Sequence, residues 1–466
     1  MRRHTSLIVV VGALLAAGGC TLSPKYVRPE APVPPQLPGA GPAAAAGEVP
    51  GTNPWQAFVT DARLRSVIET VLANNRDLRV AALNAEIVGA QYRIQRAQLY
   101  PTAGAAASLS ASRVPGSFAS DGQAYTSAQY LVNGFTSWEV DLFGRLKSLK
   151  EQALDQYLAS QQGTEATRIS LIASTAGTWL TLAADAENRG LAESTLKTQQ
   201  QSLEMILKTS AAGIASDLDV RQAQTQVEAA RAAVAMYEGF VEQDRHALEL
   251  LAGTGLRPDL LPANLGEVRP FKGVEANLPS SVLLRRPDVL AAEYQLKAAN
   301  VNIGAARAAY LPRISLTAAL GLISPALSEL FEGSARTWQF NPQLTAPIFT
   351  AGARQATTEA ARLGRDAAVA QYEKAIQVAF REASDALSLR RTLSDQLKAE
   401  EALVAALQDT YRLSETRYEA GIDSYLSVLV AQRSLFAAQQ ALVGLRLAEL
   451  QNRVNLYKVL GGGISQ

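Results

Sequence analysis

The sequence predicts a mainly α-helical fold with a transmembrane β-barrel, built from two tandem copies of one unit. Three observations lead to this prediction: an internal repeat, pairs of strand-like segments almost without charge, and very long proline-free runs. Aromatic residues make up only 6% of the chain, and alanine and glutamine are abundant. This composition favours thin helical walls over one thick core.

The chain contains the same unit twice. The segment RDLRVAALNAEIVGAQYRIQRAQLYP at 76–101 aligns without gaps with PDVLAAEYQLKAANVNIGAARAAYLP at 287–312, an offset of 211. AGIASDLDVRQAQ at 212–224 aligns with AGIDSYLSVLVAQ at 420–432 at an offset of 208. Repeats this long indicate a tandem duplication rather than a solenoid. The predicted domains are a first repeat at 55–267 and a second at 268–466.

The N-terminus resembles a bacterial lipoprotein signal at 1–19, followed by a proline-rich tether at 20–54. The apolar run at 7–17 is too short to span a bilayer. We expect Cys20, the only cysteine, to carry diacylglycerol and an N-palmitoyl chain, because more than one acyl chain makes a durable anchor. Thr21 is typical of an outer-membrane address. The alternative is an ordinary secretory signal with an incidental cysteine. No later segment resembles a membrane-spanning apolar helix.

Each repeat begins with a helix that ends at a proline, Pro101 or Pro312, and continues into two charge-poor segments. We expect strand pairs at 102–141 and 313–350, because apolar and small polar residues alternate there. A soluble sheet normally carries charge on its outer face, whereas strands of about ten uncharged residues suit lipid. Hairpins buried in a soluble core are the alternative.

Long helical runs follow at 145–211 and 354–420, and each leads through a glycine turn to a shorter helix, at 217–251 or 425–460. The longer helices would each extend about 100 Å at 1.5 Å per residue. Four strands cannot close a barrel, and an open sheet edge cannot face lipid. The chain is therefore predicted to oligomerise, and three copies would give twelve strands with a bore that the helices continue as a tunnel.

These segments resemble outer-membrane factors of the TolC/OprM type, in the NodT-like branch of efflux lipoproteins. The resemblance is carried by SPKYVRPEAPVP after Cys20, DLFGR at 141–145, LLRRPDVLAAEYQLKAANVNIGAARAAYLPRISLTAALG at 283–321, PIFTAGAR at 347–354 and YEAGIDSYLSVLVAQRSLFAAQQ at 418–440. It implies a homotrimer whose 12-stranded barrel spans the outer membrane and continues as a periplasmic α-helical barrel. It also implies a periplasmic adaptor (membrane-fusion) protein and an inner-membrane transporter as partners, with the chain as passive exit duct of a multidrug (RND-type) efflux pump.

The candidate functional residues lie at the two helix–turn–helix tips, beside Gly213 and Gly421. In a trimer each tip residue becomes a ring of three, and rings of side chains set selectivity and gating. The candidate gate residues are Asp217, Asp219, Asp423, Tyr425 and Leu426, with Arg221, Arg412 and Arg417 as candidate partners. The resemblance places Asp219 on a gate aspartate and Leu426 on a constriction leucine, and it leaves Val430 where the family often has a second aspartate. The alternative is that the acids cap helices.

No catalytic residue, metal site or cofactor is predicted, and the chain is not expected to be an enzyme. Without Arg2 and Arg3 of the signal, 42 of the 44 basic residues remain against 43 acids, so nucleic acid is not an expected partner. His246 is the only histidine after the signal, and no Cys/His cluster suits zinc. Two other functions stay open: the exit duct of a type I protein-secretion system, and a periplasmic coiled-coil scaffold lipoprotein without a pore.

Overall fold

The computed structural model describes residues 21–38, 55–269, 271 and 279–462. The predicted signal and Cys20 lie outside the described residues, as does the second half of the tether. Contacts divide the chain into two units. The described parts of unit one come from 1–30, 84–161 and 291–372, and those of unit two from 31–83, 162–290 and 373–466.

From the helix at Arg76–Ala97 onward, the helices and strands of the first half recur in the same order in the second half. The first half contains α1 (Trp55–Phe58), α2 (Ala62–Asn74), α3 (Arg76–Ala97), β1 (Thr102–Val114), β2 (Tyr125–Val140), α4 (Arg145–Ala211) and α5 (Asp217–Ala252). The second half contains α6 (Pro287–Ala308), β3 (Arg313–Ser324), β4 (Arg336–Thr345), α7 (Ala353–Glu419) and α8 (Tyr425–Val459). Helices α3 and α6 have 22 residues each, and α4 and α7 have 67 each. The duplication therefore preserves the lengths of these two pairs of helices.

The long helices end where glycine permits a left-handed backbone. Gly213 follows α4 with φ 72°, and Gly421 follows α7 with φ 70°. Such φ values are cheap only for a residue without Cβ, so these glycines stop the helices. The predicted helix at 145–211 is confirmed at both ends, and α7 begins and ends one residue before its predicted bounds.

The four strands form one antiparallel sheet in the order β1-β2-β3-β4. Thr102 pairs with Ser137 between β1 and β2, Trp138 pairs with Leu316 between β2 and β3, and Arg313 pairs with Thr345 between β3 and β4. Within the described part of the chain, β1 and β4 each have one edge without a partner strand. The sheet is therefore open at both sides.

The sheet has one apolar face and one mainly polar face. Residues directly opposite across two strands share a face, so the pairs place the large apolar side chains together. The apolar face includes Leu109, Val132, Leu320, Trp338, Phe340 and Leu344, and the polar face includes Ser108, Ser110, Gln129, Asn133, Asn341 and Gln343. Trp338 is 76% exposed and Leu320 is 71% exposed. The charged residues of the strands lie at or near the strand ends: Arg113, Glu139, Arg313 and Arg336.

Unit two contains the main hydrophobic core, which suits a bundle of helices. Trp179 is fully buried there, and its indole Nε1–H donates to the Leu260 carbonyl at 3.0 Å. The ring of Phe58 stacks on Tyr457 and on Phe271, with centroids 4.5 and 5.1 Å apart. Unit one has a smaller core cluster of Ile303, Ala306 and Ala361, as expected for a unit whose sheet is a single layer.

Residues 21–30, here called the N-terminal strap, lie along α6 within unit one. The Arg28 guanidinium donates to both carboxylate oxygens of Glu293, at 3.1 and 2.6 Å. Asn300 donates to the Pro24 carbonyl at 2.8 Å, and Ser23 Oγ donates to the Val301 carbonyl at 3.2 Å. These bonds hold the proline-rich segment in one extended path without secondary structure of its own.

Helix α8 corrects one sequence expectation. By length and composition alone it is apolar enough to cross a membrane, with a mean hydropathy of 1.2 over its most apolar window, 39% of which is buried. The expectation that no later segment passes this test was wrong. Its apolar residues serve helix packing instead, since Val428, Leu429, Leu442 and Val443 are buried.

Candidate functional site

The first tip joins α4 to α5 through a short turn. The backbone N–H groups of Ile214 and Ala215 both donate to the Thr209 carbonyl, at 3.0 and 3.3 Å. Ser216 then caps α5, with an extended backbone at φ −84° and ψ 161°. The turn therefore gives hydrogen-bond donors to a backbone carbonyl that the end of α4 leaves without a partner inside the helix.

Asp219 closes a capping box with Ser216. The Asp219 N–H donates to Ser216 Oγ at 3.2 Å, and Asp219 Oδ2 accepts from the Ser216 N–H at 2.9 Å and from its hydroxyl at 2.7 Å. The hydrogen bonds from the Ser216 side chain and backbone lower the pKa of Asp219. The carboxylate is therefore both a cap and a fixed negative charge at the tip.

The second tip is fastened by an ion pair across its turn. Arg417 Nε and Nη2 donate to the two carboxylate oxygens of Asp423, at 2.6 and 3.0 Å. The hydrogen bond from Arg417 lowers the pKa of Asp423, and the same bond raises the pKa of Arg417. Ser424 precedes α8 as its N-cap residue without a side-chain capping bond. The second tip thus replaces the capping box by a bidentate pair.

A small hydrophobic cluster joins the two tips. Tyr425, Val428 and Leu429 of α8 are buried against Ile206 of α4 and Ala223 of α5. Farther along the same helices, Gln199 donates to the Gln432 side chain at 2.8 Å in a buried position.

Tyr425 anchors this cluster rather than lining open space. Its ring lies 5.5 Å from that of Tyr418, between centroids, at an interplanar angle of 59°. Burial raises the pKa of Tyr425. Burial also raises the pKa of Tyr418, and the charge of Asp219 adds to that rise. The charge of Asp219 at the first tip therefore acts on Tyr418 of the second tip.

Other apolar residues of the tips are open to solvent. Ile214 is 81% exposed and Leu426 is 54% exposed. Leu218, Ile422 and Val430 are also exposed. Asp217, in the first turn of α5, is exposed as well. The exposed tip surface thus combines aliphatic side chains with carboxylates.

Only one of the three candidate arginine partners contacts a tip carboxylate. Arg417 binds Asp423. Within the single chain, Arg221 donates to Gln224 at 2.9 Å and Arg412 pairs with Asp409 at 3.2 Å, and their role as gate partners stays a prediction. Each of these arginines bonds a residue three positions away on its own helix, a contact that helix geometry makes easier than one across a turn.

Two contacts at the tips were missed by the sequence reasoning. Ser216 forms the capping box with Asp219, and its signal was present in the spacing of a serine followed three residues later by an acid. Tyr418 packs on Tyr425, and no pattern in the sequence predicts this contact. Among the described residues, no group of three or more His, Cys, Asp or Glu side chains could hold a metal ion.

The chain is similar to known proteins over nearly its whole length. A sequence profile of the outer membrane efflux protein family matches residues 67–254 and 278–462. The chain is 47% identical over 462 residues to the probable efflux pump outer membrane protein TtgC of Pseudomonas putida, covering 98% of this chain and 96% of that protein.

Solved structures agree with this match. A crystal structure of a membrane protein from Pseudomonas aeruginosa is similar with a TM-score of 0.90 and 39% identity, over 96% of this chain and 98% of that one. The open state of the MtrE outer membrane channel of Neisseria gonorrhoeae is similar with a TM-score of 0.85 and 35% identity, over 96% of this chain and 100% of that one.

Proposed function

The chain belongs to the outer membrane efflux protein family, and from this premise we propose that three copies form one channel that is gated at its helical tips. The chain is the outer-membrane channel component of an efflux pump and not an enzyme. It resides in the outer membrane and extends into the periplasm. The trimer, the gate, the lipid anchor and the partner proteins are our proposals.

The trimer proposal rests on one observation: the sheet has two faces of opposite polarity and two open edges. In lipid each unpaired backbone N–H and C=O costs several kcal/mol, so the edges must be covered. Two copies would give eight strands, and a barrel of that size is filled by its own side chains. Three copies give twelve strands, with the apolar face toward lipid and the polar face toward a bore.

The helices that follow each strand pair would extend this channel. Because α4 and α7 have the same length, a trimer would present six nearly equivalent helix–turn–helix tips. We propose that an adaptor protein and an inner-membrane transporter complete the pump at this end, which matches the name of a relative as an efflux pump component. The channel itself is then a passive conduit, and the transporter supplies the energy for multidrug export.

We place the gate at the tips, where each residue would form a ring of three. Asp217, Asp219 and Asp423 would supply rings of negative charge, and Leu426 would supply an aliphatic ring. The Arg417–Asp423 pair and the buried Tyr425 favour one closed arrangement of the second tip, because the pair fastens the turn before α8 and Tyr425 packs α8 on its neighbours. Opening would require the ion pair to break.

We also propose that Cys20 is lipidated. Thr21, its neighbour, lies with its hydroxyl 3.4 Å from Ser148 Oγ, in the first turn of α4. Helix α4 begins five residues after β2 ends. A strap held at this position would bring the lipid close to the end of the strands, where an acyl anchor enters the membrane. Loss of palmitate labelling in Cys20→Ser, with the protein still in the outer membrane, is the expected result.

The experiment that tests the channel compares two arginine substitutions on neighbouring residues of β4. Phe340 lies on the apolar face and Asn341 on the polar face, and both are exposed in a single chain. An arginine facing lipid near the bilayer centre costs about 2–4 kcal/mol, whereas one in the lumen costs little. We therefore expect Phe340→Arg to reduce the trimer in the outer membrane sharply and Asn341→Arg to leave its amount unchanged.

The same pair of variants separates a channel from a scaffold without a pore. In planar bilayers, purified Asn341→Arg should conduct with altered ion selectivity, since the new charge would line the bore. Equal amounts of both variants in the membrane, together with identical ion selectivity to the unsubstituted protein, would refute the proposed channel.

A further inference from the structure

Two strand edges of this chain, one on β1 and one on β4, have no partner among the described residues. Along β4 the side chains of the apolar face are strongly exposed, including Trp338 at 76% and Leu344 at 65%. Just beyond the strand, Ile348 is 96% exposed. An edge with this much exposed apolar surface needs a partner strand. The occupant to consider is the other open edge, on a second copy of the chain.

The duplication relates the two hairpins of the sheet residue by residue. Thr102 pairs with Ser137 in the first hairpin. Adding the offset of 211 to Thr102 gives Arg313, and adding the offset of 208 to Ser137 gives Thr345. Arg313 and Thr345 are themselves a pair in the second hairpin. The two sequence offsets therefore convert the register of the first hairpin into the register of the second hairpin with no shift.

The pair formed by β2 and β3 joins the two repeats inside one chain. Between two copies, the equivalent junction joins β4 of one to β1 of the next. Phe135 pairs with Ala319, and Asn133 pairs with Gly321. Adding 208 to the β2 residue gives the residue of β4, and subtracting 211 from the β3 residue gives the residue of β1. These pairs then become Gln343 opposite Ser108 and Asn341 opposite Ser110.

We propose that β4 of one copy pairs antiparallel with β1 of the next in this register, so that Gln343 faces Ser108 across the seam between subunits. The proposal rests on the trimer proposed above, and it adds the register of the contact. Six further pairs follow from the β2–β3 register: Trp338 with Arg113, Phe340 with Ala111, Pro342 with Leu109, Leu344 with Ala107, Thr345 with Ala106, and Ile348 with Ala103.

The chemistry of the two faces agrees with this register independently of the duplication. Phe340 and Leu344 of the apolar face meet Ala111 and Ala107, which lie on the same face of β1. Gln343 meets Ser108 on the polar face. A slip of one residue would place Phe340 opposite a serine and bring the apolar face of one copy to the polar side of the next.

The register also accounts for Ile348. In the single chain the β3–β4 ladder ends at Thr345, because β3 begins at its partner Arg313. In the neighbouring copy β1 begins at Thr102, and the register places its Ala106 opposite Thr345. Residues 103–105 of that strand would therefore lie opposite residues 346–348. Ile348 would then lie opposite Ala103 instead of in solvent.

Disulfide cross-linking in the full-length protein tests the register. Directly opposite Cα atoms lie about 4.5–5.5 Å apart, within reach of a disulfide. Diagonal partners two residues away lie about 7–8 Å apart, beyond its ordinary reach. Within one chain β2 and β3 separate β1 from β4, so a bond between these strands must join two copies.

The matched pair is Gln343→Cys with Ser108→Cys, and the off-register control is Gln343→Cys with Ser110→Cys. A second matched pair, Asn341→Cys with Ser110→Cys, uses the same Ser110 substitution as the control. Single-cysteine variants measure folding and any bond to Cys20. We expect both matched pairs to oxidise to covalent trimers on denaturing gels, with the control remaining largely monomeric.

Light scattering on the unoxidised proteins measures their oligomeric state and so distinguishes a wrong register from a wrong trimer. Trimers in which the control pair cross-links, or in which neither matched pair does, would overturn the register and leave the trimeric channel intact. Monomers of the unsubstituted protein in detergent would overturn the proposed trimer itself, and the register with it.

Discussion

Replacing Gly304 by alanine should release the N-terminal strap from α6. A Cβ at Gly304 would lie 2.0 Å from Ser23 Oγ, 2.7 Å from its backbone nitrogen and 2.9 Å from its Cα. Two of these three atoms belong to the backbone, so the clash cannot be relieved by turning one side chain. The strap must move away from the helix at this point.

The size of the effect follows from the contacts that surround Gly304. Three hydrogen bonds join the strap to α6 here: Ser23 to Val301, Asn300 to Pro24, and Arg307 to the Leu22 carbonyl at 3.2 Å. At about 1 kcal/mol each, their loss weakens docking by about 3 kcal/mol, which raises the released fraction about a hundredfold. Alanine in place of glycine stabilises a helix by about 1 kcal/mol, so helix propensity alone predicts the opposite sign.

The assay is the rate of trypsin cleavage after Lys25 in the folded protein, with thermal unfolding recorded in parallel. Gly364→Ala is the matched control, because that glycine lies in α7 with no atom within 4 Å of an added Cβ. We expect fast cleavage in Gly304→Ala and unchanged cleavage in the control. If Gly304→Ala kept the cleavage rate of the unsubstituted protein and raised the unfolding temperature, the steric argument would be refuted.

Three further predictions concern carboxylates. Asp423→Asn should raise single-channel conductance, because Arg417 then loses its charged partner at the second tip. Unchanged conductance would mean that the pair only stabilises the turn. Asp219→Ala should also raise conductance and destabilise the start of α5, because the capping box with Ser216 loses its N3 side chain; a stability loss without a conductance change would leave only the capping role. Burial and the neighbouring Asp185 raise the pKa of Asp244, a residue of α5, to about 6. The folded state therefore binds this proton more tightly than the unfolded state does. The resulting stabilisation is present below about pH 4 and is lost as the pH rises through about 6. Asp244→Asn should therefore gain roughly 1 kcal/mol after solvent screening at about pH 7.5 and almost nothing at about pH 4; an equal gain from the exposed Glu242→Gln would contradict this cause.

The helices of this chain could be predicted from the sequence because their signals are local. Proline-free runs define α4 and α7, and Gly213 and Gly421 mark their ends. The strands were located only as pairs, since the same small and apolar residues continue into the turns. Strand β4 ends at Thr345, well before the limit of its predicted pair at 350, because β3 has no residue before Arg313 to pair with it.

The two faces of the sheet needed the strand register. Alternation within one strand shows that two faces differ, but it does not show which faces of neighbouring strands coincide. The pairs of Leu320 with Trp338 and of Val132 with Leu322 establish that.

At the tips, sequence position found the carboxylates and three candidate arginine partners, but not which arginine contacts which carboxylate. Arg221, Arg412 and Arg417 all lie close to the tips in the sequence, and only the folded turn brings Arg417 to Asp423. The Tyr418–Tyr425 contact likewise depends on how α7 and α8 pack.

The two alternative functions left open by the sequence are each less well supported than efflux. A scaffold without a pore gives no role to a sheet with an exposed apolar face, and the family match is to outer membrane efflux proteins. An exit duct for secreted proteins would share the fold, but the relative TtgC is named as a component of an efflux pump. Drug export is therefore the function to test first in cells.

Electron microscopy of the full-length protein in detergent tests the central claim most directly. We predict a threefold particle with a 12-stranded barrel and a helical tunnel about 100 Å long, the length of a 67-residue helix at 1.5 Å per residue. A monomer, or a rod of helices without a bore, would contradict the channel.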